Sequence, residues 1–259
     1  LCYTQHPYQW MTIGKELSHI ENAKLQDVKD FFFKHYRPVN AILCVAGNIS
    51  TERVRELAEK WFEPIEQGQK YVRNIPDDPT PPEPSVLRVE KDVPVSVIMK
   101  AYPIARRGEA NYYAADVITE ILSGGQSSRL HQKLVKEQNI FSQIDCYHTG
   151  SVEKGLLVIE GKVLPHITPE NADLAIQVEI EKIKQEVVSD LELEKVKNKI
   201  ESMIAFEDLS LLSRANNLAF YELLGDAEKM NEELENYHRV TASQISAYAN
   251  EILTVNNSN

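Results

Sequence analysis

Ile140-Phe141-Ser142-Gln143-Ile144-Asp145-Cys146-Tyr147 and Leu156-Leu157-Val158-Ile159-Glu160-Gly161-Lys162-Val163 decide the fold class. Both runs are short and rich in β-branched and aromatic residues, and the stretch between them carries Gly150 and Gly155. That pattern reads as an antiparallel strand pair joined by a turn. Upstream, residues 86–89 alternate as a short strand, and residues 93–102 form a longer β-branched one with Val95, Val97 and Ile98. Between these strands and the pair, residues 109–122 carry the helical stripe Tyr112, Ala115, Val117, Ile118, Ile121 and Leu122, which Gly124-Gly125 stops. Ser127-Ser128 then cap a short helix over 129–136. Downstream come a helix over 170–188, one capped by Ser189-Asp190 and continuing to Leu224 before Gly225, and a last one over 241–253 with Ile245, Tyr248, Ala249 and Ile252 on one face. The order predicts an α+β fold with helices packed on one face of a largely antiparallel sheet. Residues 253–256 begin like another strand.

Working toward the N-terminus, residues 66–84 hold Pro76, Pro79, Pro81, Pro82 and Pro84 with Asp77 and Asp78. Proline fixes φ and removes a donor, so this reads as a stiff, solvated linker and the boundary between two parts, 1–65 and 85–259. In the first part, residues 1–20 read as a loop, and residues 23–36 form a helix with Leu25, Val28, Phe31, Phe32 and Tyr36 on one face, ended by Pro38. Residues 40–47 are apolar without alternation and predict a buried strand, with Cys44 as a buried thiol. Ser50 caps a second amphipathic helix carrying Val54, Leu57, Trp61 and Phe62. A strand apolar on both faces needs neighbours to satisfy its backbone. Residues 1–65 are therefore expected to be the end of an α/β domain whose opening lies outside this chain.

The chain has 259 residues, 28 basic against 39 acidic, for a net charge of -11. That balance repels a phosphate backbone and argues against nucleic-acid binding. No apolar run of about 18 residues suggests a membrane span. The three cysteines, Cys2, Cys44 and Cys146, offer neither a disulfide framework nor a C-x-x-C site. None of the seven histidines (His6, His19, His35, His131, His148, His166, His238) pairs at H-E-x-x-H or H-x-x-E-H spacing, so each reads as a surface or capping residue. Gly124-Gly125-Gln126-Ser127-Ser128-Arg129 lacks P-loop spacing and reads as a tight turn between helices. No G-x-S-x-G elbow occurs. Glu192, Glu194, Lys195 and Lys199 read as a solvated helix face. No residue is singled out as catalytic or as a metal ligand.

Three stretches together carry a family resemblance. They are His6-Pro7-Tyr8 with Ile13-Gly14 and the later Tyr36-Arg37-Pro38-Val39-Asn40-Ala41; Ile121-Leu122-Ser123-Gly124-Gly125-Gln126-Ser127-Ser128-Arg129-Leu130 with Leu134-Val135-Lys136-Glu137; and Leu191-Glu192-Leu193-Glu194-Lys195-Val196-Lys197. In this order they resemble the pitrilysin/insulinase family of zinc peptidases. The resemblance implies paired α/β domains, two halves closing on a chamber, and zinc held by an H-x-x-E-H helix and a later Glu. All three ligands would precede the His6-Pro7-Tyr8 segment, so the chain itself is expected to carry no cofactor, with zinc in the parent protein or its catalytic partner. The family's substrate-contacting Arg and Tyr of the complementary half fall at Val135 and Ser142 here, neither of which can stabilise an oxyanion as Arg does. Arg129 is expected to cap neighbouring carbonyls.

The resemblance therefore implies a non-catalytic portion of a zinc endopeptidase, forming chamber wall and peptide-facing surface and inactive alone. The alternative it leaves open is a pseudo-peptidase partner or core subunit that keeps the fold without metal. An unrelated α+β binding module is the third reading. The implied partners are a peptide or unfolded polypeptide substrate and a second homologous half or subunit, with no nucleic acid. The compartment is not fixed; for a bacterial source it would be periplasm, cell envelope or cytoplasm.

Overall fold

A computed structural model describes residues 1–78 and 84–254. They divide into two compact units: Leu1–Thr4 with Asp78–Met203 and Glu233–Asn259, and Gln5–Asp77 with Ile204–Glu232.

The first unit is built on a sheet of three strands in the order β1-β3-β2. The strand β3 (Gly155–Val163) runs antiparallel to both β1 (Val97–Ile104) and β2 (Phe141–His148). Alternation along β3 points Leu157, Ile159, Gly161 and Val163 inward. Register sets them opposite inward residues of the neighbours: Tyr102 faces Leu157, Ile144 faces Gly161 and Cys146 faces Ile159. That face is covered by α4 (Ala110–Ser123), α5 (Pro169–Gln185) and α9 (Ala242–Ile252). Each helix repeats its buried residues at the helical period, as in Ala172, Ile176, Ile180 and Ile183 of α5. Thr168 caps α5 by accepting from the Asn171 N–H, with Pro169 at the first helical position, and Thr241 caps α9 in the same way. The α+β class and the helices on one face of an antiparallel sheet are as the sequence predicts.

The sheet begins later than expected. Residues 86–89 form no strand, and Val86 is 91% exposed. The strand expected from residue 93 starts at Val97, three residues past Pro94, which has no N–H for a ladder. It runs through Pro103, which is tolerated because β1 pairs only with β3 among the described residues. Gly161 is a packing requirement: a Cβ there would lie 2.5 Å from the Phe141 ring. Phe141 is fully buried against this gap, beside an irregularity at Ser142 in the register with β3.

The second unit holds α1 (Leu17–Glu21), α2 (Leu25–His35), α3 (Thr51–Phe62) and α7 (Leu211–Leu223). The Ser50 hydroxyl accepts from the Arg53 N–H and caps α3, as its sequence predicts. The strand expected over 40–47 is absent. Residues 38–40 make a turn of 3-10 helix, and residues 41–46 have no regular structure. Among the described residues no strand lies beside this run to take its backbone groups, so Leu43 and Val45 stay exposed and Cys44 is half-buried rather than buried. Phe31, Phe32 and Phe33 of α2 are likewise about half exposed.

The helix expected from residue 190 to Leu224 is two helices. The helix α6 (Asp190–Glu207) starts on the Ser189 hydroxyl, which accepts from the Glu192 N–H. The chain breaks before Ser210, whose hydroxyl caps α7 by accepting from the Ser213 N–H. A serine that satisfies a fresh N-terminus competes with helix continuation. A 3-10 turn (Ala227–Glu232) and α8 (Glu233–Arg239) fill a stretch for which the sequence offers no clear period. The linker expected over 66–84 is irregular where described, but Pro79, Pro81 and Pro82 lie outside the described residues, as do Val255 and Asn256 of the terminal strand. Among the described residues, no helix is long and apolar enough to cross a membrane.

Gly161→Ala forces a methyl into the Phe141 ring and is expected to destabilise the chain by about 1–3 kcal/mol. Thermal unfolding followed by circular dichroism measures this, and Phe141→Leu in the same background should recover part of the loss.

Candidate functional site

A half-buried polar cluster of the first unit gathers on Asp116, in the middle of α4. Its Oδ1 lies 2.9 Å from His148 Nε2, and its Oδ2 accepts from the Tyr237 hydroxyl at 2.6 Å. These partners come from the end of β2 and from α8. The Gly150 N–H donates to His148 Nδ1 at 3.1 Å, so Nδ1 carries the lone pair and Nε2 carries the proton given to Asp116. Tyr112 packs edge-on to the imidazole at 5.1 Å between ring centres, and Tyr113 packs edge-on to Tyr237 at 5.0 Å. Burial alone would raise the Asp116 carboxyl, but the hydrogen bonds from His148 and Tyr237 outweigh it and hold the group below its ordinary value. Burial, and then the Asp116 charge, push the Tyr237 phenol far above its usual range. Tyr112 rises to about 12, chiefly through burial.

An Asp, a His and a hydroxyl invite comparison with a hydrolytic triad. The geometry does not support that chemistry. A general base needs a free ring nitrogen facing a nucleophile, and here both nitrogens are engaged within the fold while the hydroxyl binds the carboxylate. The cluster is a strut joining α4, β2 and α8. By sequence His148 reads as a surface or capping histidine; the one signal is Asp116, a carboxylate set between Ala115 and Val117 in the apolar stripe of α4.

A second polar seam follows the Gly124-Gly125 turn. Gly125 adopts φ +119, a backbone region open to glycine, as the stop signal requires. Beyond it the chain forms one helical turn and then a π-helix (His131–Glu137), in which the Gln138 N–H reaches back five residues to the Lys133 carbonyl. Arg129 does not cap carbonyls. It makes a fork to Glu192 of α6, at 3.0 Å from Nε and 2.7 Å from an Nη. Lys199 of α6 donates to Glu120 and to the Gly124 carbonyl, and Lys195 reaches Ser127. Three of the four residues expected to form a solvated helix face, Glu192, Lys195 and Lys199, thus fasten α6 to the turn, while Glu194 is exposed as expected. Three long basic or acidic side chains at helical spacing have enough reach to cross to a neighbouring helix, which i,i+4 counting does not reveal.

Val135 is half-buried on the π-helix, and Ser142 is exposed at the irregularity in β2, donating to the Lys162 carbonyl at 3.3 Å. The outward face of the sheet carries Gln143, Asp145, Tyr147, Glu160 and Lys162 around a depression of about 200 Å³. Lys162 donates to Gln143, which donates to Asp145. A small-molecule pocket encloses roughly 300–1,000 Å³, so this is a surface rather than a pocket. Among the described residues, no three His, Cys, Asp or Glu side chains converge as metal ligands, so the residues here do not fit a zinc ion.

Residues 22–200 match the family described as Peptidase M16 inactive domain. The chain is 27% identical over 186 residues to the zinc protease PqqE of Helicobacter pylori, covering 71% of this chain and 42% of that protein. It is 22% identical over 254 residues to YmxG of Bacillus subtilis, described as an uncharacterized zinc protease, covering 97% of this chain and 60% of that one. The crystal structure of a protease from Helicobacter pylori superposes with a TM-score of 0.89 at 25% identity, over 99% of this chain and 63% of that chain. This chain therefore spans about half the length of the curated relatives it matches.

Tyr237→Phe leaves Asp116 short of a donor and is expected to cost about 1–3 kcal/mol. Because the Asp116 carboxyl is depressed in the folded state, its contribution is present above its unfolded value of about 4 and is lost as pH falls through the lower folded value. Acid unfolding of Asp116→Asn should accordingly show a shallower loss of stability below about pH 4 than the parent chain. Equal slopes would show that Asp116 is not ionised in the fold.

Proposed function

Because the chain belongs to the peptidase M16 inactive-domain family, we propose that it is a non-catalytic portion of a pitrilysin-type zinc endopeptidase, supplying chamber wall and a polypeptide-facing surface. The outward face of the sheet carries this reading. Among the described residues of the first unit, helices pack on the inward side, and Gln143, Asp145, Tyr147, Glu160 and Lys162 form an open, mixed-charge, partly aromatic surface. A surface of this kind can lie along an extended chain but cannot enclose a small ligand. Zinc would be held elsewhere, in another part of the protein or in a catalytic partner, since the residues here do not fit it.

In this reading residues 1–65 close a first domain, 66–84 link it onward, and 85–259 form most of a second domain of similar build. The uncovered apolar residues support the assignment. Phe31 and Phe32 of α2, Trp61 of α3 and the unpaired run at 41–46 are the parts of an α/β layer that pack against a sheet. An exposed apolar surface of that extent marks a contact with further protein.

The chain by itself is expected to bind no stoichiometric zinc and to cleave no peptide, tested by elemental analysis and a fluorogenic peptide assay. One tightly bound zinc per chain would overturn the proposal. In the whole protein, Tyr147→Ala with Lys162→Glu should raise KM for long peptides several-fold at constant zinc content. An unchanged KM would remove the outward sheet face from substrate contact.

A further inference from the structure

The turn between β2 and β3 is held by an unusual acceptor. Gly150, at φ +58, donates its N–H to Nδ1 of His148 two residues earlier. The rest of the turn is fastened by a backbone bond from the Thr149 N–H to the Leu156 carbonyl at 2.9 Å, by the Arg106–Glu153 ion pair and by neutral contacts. Thr149 Oγ1 accepts from the Leu156 N–H and from the Ser151 hydroxyl, the Arg107 N–H reaches the Ser151 carbonyl at 3.4 Å, and the Tyr3 hydroxyl donates to the Lys154 carbonyl.

We infer that protonation of His148 unlatches the Gly150 corner of this turn, making that corner of the β2–β3 hairpin an acid-sensitive device. A proton arriving at the ring can only go to Nδ1, because Nε2 already carries one. Nδ1–H would then confront the Gly150 N–H, donor against donor, and that bond is lost. On the opposite side of the ring the effect has the other sign. Asp116 is ionised and aimed at Nε2–H, so the new positive charge strengthens that contact. Acid therefore acts on the turn and spares the strut.

The charged and titratable groups around the ring support this division. From α4 come Asp116 and Tyr112. From α8 comes Tyr237, bound to the same carboxylate, while Glu233 at the start of that helix is paired with Arg107. The Arg107 guanidinium lies over the far ring, Tyr112, at 5.7 Å. From the turn, Glu153 faces Arg106 at 3.8 Å. Both tyrosines have raised pKa values and remain neutral on acidification.

Amide hydrogen exchange of the whole chain, corrected for intrinsic rates, tests the latch between about pH 7.5 and about pH 5. The Gly150 amide is expected to lose about tenfold in protection on acidification. Amides of Leu157 and Ile159 in the centre of β3 should keep theirs. Nitrogen-15 spectra of the imidazole should show a proton on Nε2 alone at the higher pH and on both nitrogens at the lower. His148→Gln, a neutral side chain, should make Gly150 protection independent of pH. If that variant does not fold, the imidazole spectrum and the Gly150 amide still decide the matter in the parent chain. A ring that titrates while Gly150 protection is unchanged would overturn the inference, as would an equal loss of protection in His148→Gln, or a ring that stays neutral throughout. None of these outcomes depends on whether the sheet face binds substrate.

Discussion

Among the described residues, β3 alone has a strand on each side, and the rest of the first unit is arranged around that fact. A small antiparallel sheet is stable only when one face is covered. Here α4, α5 and α9 supply the cover, and each presents a stripe of buried residues at helical spacing toward the inward residues of β3 and its neighbours. The close approach of Phe141 to Gly161 shows how tightly that cover is drawn: the largest inward side chain of β2 occupies the space a second side chain on β3 would need. The opposite face is left to solvent, and its polar residues bond along the sheet rather than to a second layer.

Polar contacts then fix what apolar packing leaves free. Apolar burial is non-directional and sets which faces meet, but not how one helix slides along another. Asp116 addresses this by accepting from two elements at once, and the Arg129–Glu192 fork does so for α6. Neither cluster has a free nucleophile or base. The charged residues of these two clusters hold the geometry between neighbouring elements.

Elements with a strong local period were legible in the sequence. The helix at α4, the hairpin of β2 and β3, and the caps at Ser50 and Ser189 follow from residue spacing, because each is decided within a few residues. The run at 41–46 was not, because an apolar stretch becomes a strand only when neighbours accept its backbone groups, and that is a property of the surroundings. The Asp116–His148–Tyr237 cluster was hidden for the same reason: its members stand 32 and 121 residues from the carboxylate, and no local spacing announces them. Ser210 shows the opposite failure, a local capping signal overlooked inside an apparently continuous helix.

The π-helix over His131–Glu137 has a consequence for how this chain is compared with its kin. A turn closed from residue to residue five positions on holds one residue more than an α-turn, so every side chain beyond it is rotated relative to an uninterrupted helix. A relative with an ordinary α-helix at this place would reach the same point in space one residue sooner. Equivalence by count and equivalence by position therefore part company within this helix. Val135 lies inside the wide turn and Ser142 just past it, beside a second irregularity in β2, so the counterpart of either in another member of the family is defined by superposed coordinates rather than by sequence offset.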